Sequence, residues 1–312
     1  MGAMIETEGL TRVFNSTTAV EDLTLSIREG EVFGFLGPNG AGKTTTVRML
    51  CTLIAKTRGM AHVNGLDISD PDEAMKIRQI VGLLPEMPGL YERLSAYRNL
   101  DFYGRLYGLD ETKRRESIER FLKLLDLWEK REDSVATFSK GMRQKIVIAR
   151  ALIHDPLVLF LDEPTAGLDP EAAKTVRDFI LELRKERRTI FLNTHNLDEA
   201  GRVCDRIGII RTKLIAVGTP NELSDKLWKK NTVVNLVALE DHVVEAVKRL
   251  DLVQNVRTSN NSLICEVDNP EEANPYIVEA IVKAGGRVRS VVELQRSLEE
   301  VYLKLIKEEP SG

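Results

Sequence analysis

Residues 37–44 read GPNGAGKT, and a glycine-rich run ending in Lys-Thr has one evident chemical use, the holding of a phosphate chain. Gly37, Gly40 and Gly42 free the backbone to wrap closely, so that amide N–H groups point inward at phosphate oxygens. Lys43 brings an ammonium to the β- and γ-phosphates, and the Thr44 hydroxyl suits Mg2+. The candidate nucleotide-binding segment is Gly37, Pro38, Asn39, Gly40, Ala41, Gly42, Lys43, Thr44 and Thr45. A second signal is LVLFLDEP from Leu157. Its unbroken apolar run describes a buried strand that delivers Asp162 and Glu163 to the ligand edge of an α/β sheet. Asp162 is the candidate to hold Mg2+, directly or through water, and Glu163 the candidate general base for an attacking water. Alone, the pair also reads as two solvent-facing acids; beside the Lys43 loop the catalytic reading is the stronger. A third signal, FSKGMRQKIVIARAL from Phe138, reads alone as a helix capped by Ser139. Beside the other two it offers a second phosphate-binding helix start. Two such sites per chain fit a head-to-tail pair in which each chain closes the other's nucleotide.

These residues need a scaffold, and the flanking pattern supplies one. The strand-like VFGFL precedes the glycine loop and the helix-like KTTTVRMLCTLI follows it, the opening of an α/β unit with a buried parallel strand. From about Leu94 to Leu127, RNLDFYGRLYGL and ESIERFLKLLDLW carry apolar residues at helical intervals. Strands return in LVLFLDEP, TIFLNTH and RIGIIRTKLIAVG, the first two separated by the helical PEAAKTVRDFILELRKE. A doubly wound core over residues 1–225, with a helical insert at about 87–149, is the expected arrangement. Residues 231–312 read as a separate domain, βαββαβ plus a last helix, with Asn260-Asn261 as a turn, Gly285-Gly286 as a helix stop and Ser297 and Glu300 at capping-box spacing. That order predicts a small ferredoxin-like α+β fold.

Bulk properties exclude several classes. Hydrophobic residues make up 43% and charged residues 29% of the chain, an ordinary folded balance. A net charge of −4 argues against binding nucleic acid by bulk attraction. Cys51, Cys204 and Cys265 are too few and too scattered for a disulfide framework or metal cluster, so buried free thiols are expected. No apolar run is long enough to span a membrane and the first residues lack a secretory pattern, so a cytoplasmic chain is expected.

Taken in order, these motifs make the chain resemble the nucleotide-binding subunit of ATP-binding-cassette (ABC) transporters, from about Ile5 to Ala216. The family's phosphate loop matches Gly37 to Thr44, its signature FSKGM at Phe138 to Met142, its acidic strand Leu157 to Asp162 with Glu163, and its D-loop AGLD ending at Asp169. His195 in NTHNLDEA matches the switch histidine, and Phe14 matches the aromatic that stacks on adenine. The signature departs from Leu-Ser-Gly-Gly-Gln at three of five positions but keeps Ser139 and Gly141. The resemblance implies a P-loop NTPase core with an antiparallel β subdomain and a helical subdomain, and ATP and Mg2+ as ligands. It further implies that Ser139 and Gly141 contact the γ-phosphate of the opposite subunit, that Asp169 lines the subunit contact and that His195 senses the γ-phosphate. His62, His154 and His242 have no such setting. The C-terminal residues resemble the accessory domain of daunorubicin-resistance-type exporters, down to the closing SLEEVYLKL.

One departure concerns LLPEMPGLY, Leu83 to Tyr91, where the family's usual glutamine is Glu86. A glutamate also offers Mg2+ a hard oxygen, yet it adds charge beside Asp162 and Glu163, or it could turn to solvent; Mg2+ contact is the favoured reading. In the family, the junction at Met87 to Tyr91 receives a helix of the membrane subunit, and its apolar residues suit a docking surface as well as self-packing. The expected function is that of an ATPase whose closure around two Mg-ATP drives a separate polytopic permease. The expected cargo is exported and drug-like, lipid-like or polymeric, with a second identical or paralogous cassette and no nucleic acid as partner. The chain would lie at the cytoplasmic face of the membrane through its permease, soluble when isolated. The competing class is a soluble ABC ATPase acting on ribosomes or DNA; a P-loop kinase would lack the signature and D-loop.

Overall fold

Two kinds of apolar pattern, alternating and unbroken, divide the strands of this chain between two kinds of sheet. The computed structural model describes residues 2–85, 89–227, 231–293 and 302, with residues 224–227 by backbone alone. It falls into two units, Met1–Pro220 and Asn221–Gly312. The first unit begins β1 (Ala3–Phe14), β2 (Thr17–Arg28), β3 (Val32–Leu36), α1 (Lys43–Leu50), β4 (Arg58–Val63), β5 (Leu66–Asp67), α2 (Pro71–Ile80) and β6 (Val81–Leu84). It continues α3 (Ala96–Leu106), α4 (Glu111–Leu124), α5 (Lys140–Leu152), β7 (Val158–Asp162), α6 (Pro170–Lys185), β8 (Thr189–Thr194), α7 (Leu197–Val203), β9 (Arg206–Arg211) and β10 (Lys213–Gly218). A further helix, α8 (Pro220–Leu227), begins at the division.

In β2 the buried Leu23, Leu25 and Ile27 alternate with the exposed Thr24, Ser26 and Arg28, the period of a strand with one wet face. This strand lies in an antiparallel sheet of order β2-β1-β4-β5. By contrast every residue of β3, β7 and β8 is buried, as strands covered on both faces must be. These form the centre of a six-stranded sheet of order β10-β9-β3-β8-β7-β6, parallel except for the β9–β10 hairpin. Phe191 of β8 packs its ring 5.2 Å from Phe35 of β3 and 5.4 Å from Phe160 of β7, centroid to centroid. These aromatic contacts tie the three strands together. Their register pairs Leu36 with Thr194 and Asp162 with Asn193. Residues 37, 163 and 195 therefore leave the sheet at one edge.

The helical insert is α3, α4 and α5, each capped by a side chain: Ser95, Asp110 and Ser139. Some boundaries differ from the sequence reading. RIGIIRTKLIAVG is two strands rather than one, because Thr212 turns the chain at φ 64. The helix after the glycine loop stops at Leu50, where Cys51 caps it and Thr52 adopts φ 57. Helix α2, with Asp70 accepting from the N–H groups of Asp72 and Glu73, had no counterpart in the sequence reading.

The second unit runs β11 (Asn231–Leu236), α9 (Asp241–Lys248), β12 (Val253–Ser259), β13 (Ser262–Val267), α10 (Pro270–Lys283) and β14 (Val288–Glu293). Its antiparallel sheet has the order β12-β13-β11-β14, which is the ferredoxin-like arrangement of βαββαβ. Val234, Leu263 and Cys265 of the sheet bury against Val247, Ile277 and Ile281 of the helices. Asn260 makes the β12–β13 turn at φ 50, and Gly285 ends α10 at φ 82. The closing SLEEVYLKL, with Ser297 and Glu300, lies outside the described residues apart from Tyr302.

Candidate active site

The glycine loop leaves β3 and turns directly into α1. Gly40 and Gly42 adopt φ 81 and 100, and a Cβ on Gly42 would lie 2.3 Å from the Ala19 carbonyl oxygen. That crowding, as much as the turn, requires glycine there. The Lys43 ammonium folds back into the loop and donates to the carbonyls of Gly37 at 2.6 Å and Pro38 at 3.2 Å. Burial lowers its pKa, against which Glu163 and Asp162 pull upward. Pro38 to Thr45, with Ala19, Asp162 and Glu163, line a pocket of about 300 Å3. The loop and the two acids, 118 residues or more apart in the chain for Thr44 and Asp162, thus share one concavity.

Asp162, only 6% exposed, uses both oxygens. Oδ2 accepts from the Thr44 hydroxyl at 2.9 Å and Oδ1 from the Asn193 amide at 3.2 Å. A carboxylate beside a hydroxyl is a hard, anionic donor set, which fits Mg2+ with its preference for one or two protein oxygens and otherwise water or phosphate. Glu163 turns away from its neighbour by adopting φ 50, held by its N–H to the Asn193 carbonyl at 2.9 Å. Its Oε1 accepts from His195 Nδ1 at 2.8 Å. The Glu163 side chain is 18% exposed and that of His195 63%, so the imidazole forms the open wall of the pair. Lys43, Thr44, Asp162, Glu163 and His195, read separately from the sequence, meet at one sheet edge.

The remaining sequence-predicted residues lie elsewhere. Ser139 caps α5, its Oγ accepting from the Met142 N–H at 3.2 Å. A Cβ on Gly141 would stand 2.9 Å from that of Ala172, so this glycine lets α5 and α6 approach. Asp169 caps α6 through the Ala172 N–H at 2.8 Å. Ser139, Gly141 and Asp169 are not among the residues lining the Lys43 pocket. Phe14, at the end of β1, is 40% exposed, and the Arg12 guanidinium covers its ring at 4.3 Å. Glu86, Met87 and Pro88 lie outside the described residues; Tyr91 packs edge-on against Phe102 at 5.0 Å. Cys51, Cys204 and Cys265 are buried free thiols whose pKa values burial raises.

Sequence reasoning missed four contributors. Asn193 bridges Asp162 and Glu163, Glu199 receives the hydroxyls of Thr165 and Thr194, and Gln144 donates to the Pro164 carbonyl at 2.9 Å. Arg12 is the fourth. The one available signal was TIFLNTH, where polar residues follow an apolar strand without a break.

Residues 20–166 match the family model described as ABC transporter, and residues 218–306 that described as ATP-binding protein DrrA1-3-like, C-terminal domain. An uncharacterized ABC transporter ATP-binding protein of Bacillus subtilis (strain 168) is 34% identical over 307 residues, 98% of this chain and 96% of its own. The daunorubicin/doxorubicin resistance ATP-binding protein DrrA of Streptomyces peucetius is 36% identical over 307 residues, 96% of this chain and 92% of its own. A solved ATP binding subunit of an ABC transporter aligns with a TM-score of 0.65 at 31% identity, covering 72% of this chain and 93% of that one. In fold alone, the chain also matches a dimeric ATP-binding cassette bound to ADP and Pi, with a TM-score of 0.63 at 24% identity over 69% of this chain and 98% of the other.

Proposed function

The chain belongs to the ABC transporter ATP-binding family, and from that premise we propose that it is the ATP-hydrolysing subunit of an exporter. It is an ATPase of that family and binds ATP. In the proposed mechanism residues 1–225 form the cassette and 231–312 an accessory domain. Two cassettes, identical or paralogous, close head-to-tail around two nucleotides and drive a separate polytopic subunit docked near Met87 to Tyr91. The cargo is a drug-like, lipid-like or polymeric molecule. The resistance protein of Streptomyces, similar over nearly its whole length, supports the export reading.

The observation that carries the proposal is the convergence of Thr44, Asp162, Glu163 and His195 over the Lys43 loop. Loop amides and the Lys43 ammonium hold the β- and γ-phosphates, and Phe14 stacks on the adenine. Thr44 and Asp162 would hold Mg2+, which when bound neutralises charge on the phosphate oxygens; Glu86 is a further candidate for the ion. Glu163 Oε1 takes the proton of the attacking water, with the imidazole of His195 keeping that carboxylate oriented. Ser139, Gly141 and Asp169, off the chain's own pocket, serve the nucleotide held by the partner cassette.

Glu163→Gln removes the base and keeps the shape, so turnover should fall by about 100-fold or more with nucleotide binding retained. Used as bait in detergent-solubilised membranes of the source cell, this variant should retain a multi-spanning membrane protein, with and without ATP. Ribosomal or DNA-bound components in its place would overturn the transporter reading in favour of a soluble ABC ATPase.

A further inference from the structure

Helix α7 carries an acid, Glu199, to which the mechanism above gives no role. Glu199 is 1% exposed, a costly place for a carboxylate unless its hydrogen bonds do something needed. Its Oε2 accepts from Thr165 Oγ1 at 2.9 Å and from Thr194 Oγ1 at 3.1 Å. Oε1 is buried without a hydrogen-bond partner among the described residues. Thr165 stands two positions after Glu163, and Thr194 stands immediately before His195. The contacts therefore close a ring. It runs from Glu163 along the chain to Thr165, across Glu199 to Thr194, along the chain to His195 and back to Glu163 through the 2.8 Å Nδ1–Oε1 hydrogen bond. Asn196 anchors the ring to α7, accepting from the Glu199 N–H at 3.0 Å while donating its own N–H to the Thr194 hydroxyl at 3.0 Å.

We propose that Glu199 is a positioning residue that clamps the loop after Glu163 to the loop before His195, so that the base and its imidazole partner keep their mutual geometry. The inference rests on the catalytic reading of Glu163 and His195 given above. The Glu163 side chain is 18% exposed and that of His195 63%, so the pair needs support from the residues that flank it. Both loops reach the buried carboxylate through side-chain hydroxyls. Glu199 is not among the residues lining the Lys43 pocket, which separates its effect on turnover from any on nucleotide binding. An amide at the same position accepts the same two hydroxyls, so glutamine preserves the clamp and alanine removes it.

The test compares Glu199→Ala, Glu199→Gln and Thr165→Val for kcat, KM for ATP, and affinity for a fluorescent ATP analogue, on protein shown to be folded by circular dichroism. Glu199→Ala and Thr165→Val should lower kcat by about tenfold or more, the scale of a misplaced catalytic group, with KM and analogue affinity within about twofold. Glu199→Gln should recover most of the rate. Combined with His195→Ala, neither loss should add fully to the single-variant loss, because all act through one unit. An unchanged kcat in folded Glu199→Ala and Thr165→Val would overturn the clamp, as would equal losses in kcat and affinity or full additivity with His195→Ala. If Glu199→Ala fails to fold, Thr165→Val decides alone. Retention of full turnover by Glu163→Gln and His195→Ala would instead overturn the catalytic reading beneath it.

Discussion

Thr44 and Asp162 are joined by a single hydroxyl-to-carboxylate bond of 2.9 Å, and that bond sets what each can offer a cation. Thr44→Val removes one oxygen donor and leaves Asp162 Oδ2 without its hydroxyl partner. The Mg2+ concentration for half-maximal ATPase activity should rise by about tenfold or more, the usual effect of losing a ligand or its support. Titrating Mg2+ at saturating ATP reads the shift; no change would remove Thr44 from the metal site. At this scale Lys43, Glu163 and Asp162 were legible because glycine spacing and an apolar run ending in acids are local patterns. Asn193 and Glu199 were not, because what makes them matter is a partner 31 or 34 residues away. A polar side chain in a strand or helix looks the same whether it faces water or another loop.

Elements place these residues, and one helix end shows how packing creates pH dependence. His154 follows α5, stacks flat on Tyr107 with centroids 3.7 Å apart, and donates from Nε2 to the Val81 carbonyl of β6 at 3.1 Å. Burial lowers its pKa from 6.5 to about 4, with the Val81 bond and Asp155 opposing. The native state thus keeps this histidine neutral while the unfolded chain takes up a proton below pH 6.5. The stability it contributes is whole above pH 6.5 and is lost as pH falls toward 4. Between pH 7 and pH 5 the loss is on the order of 2 kcal/mol, or a fall of about 5 °C in Tm for a unit of this size. His154→Gln should start lower, having lost the stack, but show a smaller fall over the same range in thermal melts. An equal fall in both proteins would assign the pH dependence to other groups. The unbroken strands β3, β7 and β8 were readable as runs, whereas the RIGIIRTKLIAVG hairpin was not: only Thr212 at φ 64 separates its strands, and threonine is a weaker turn former than glycine, asparagine or aspartate.

For the whole molecule, the ferredoxin-like strand order was anticipated from the order of strand and helix patterns, while the chain divides between Pro220 and Asn221, ahead of the break between residues 225 and 231 that the sequence suggested; each half builds its own core. What a single chain leaves open is the partner of its second phosphate-binding helix start. Ser139, Gly141 and Asp169 converge on the α5–α6 contact through Ala172, apart from the pocket that Lys43 lines, so they are available to a nucleotide held elsewhere. No helix among the described residues is long and apolar enough to cross a membrane, and in the proposed assembly that task falls to the separate permease. The central claim is that ATP is closed between two cassettes. Sedimentation of Glu163→Gln with Mg-ATP and with Mg-ADP, nucleotide content measured in each fraction, tests it most directly. The expected result is a species of two chains holding one ATP each, which returns to single chains in ADP. The contradicting result is a single-chain species at saturating ATP, together with wild-type turnover per chain that does not change with protein concentration.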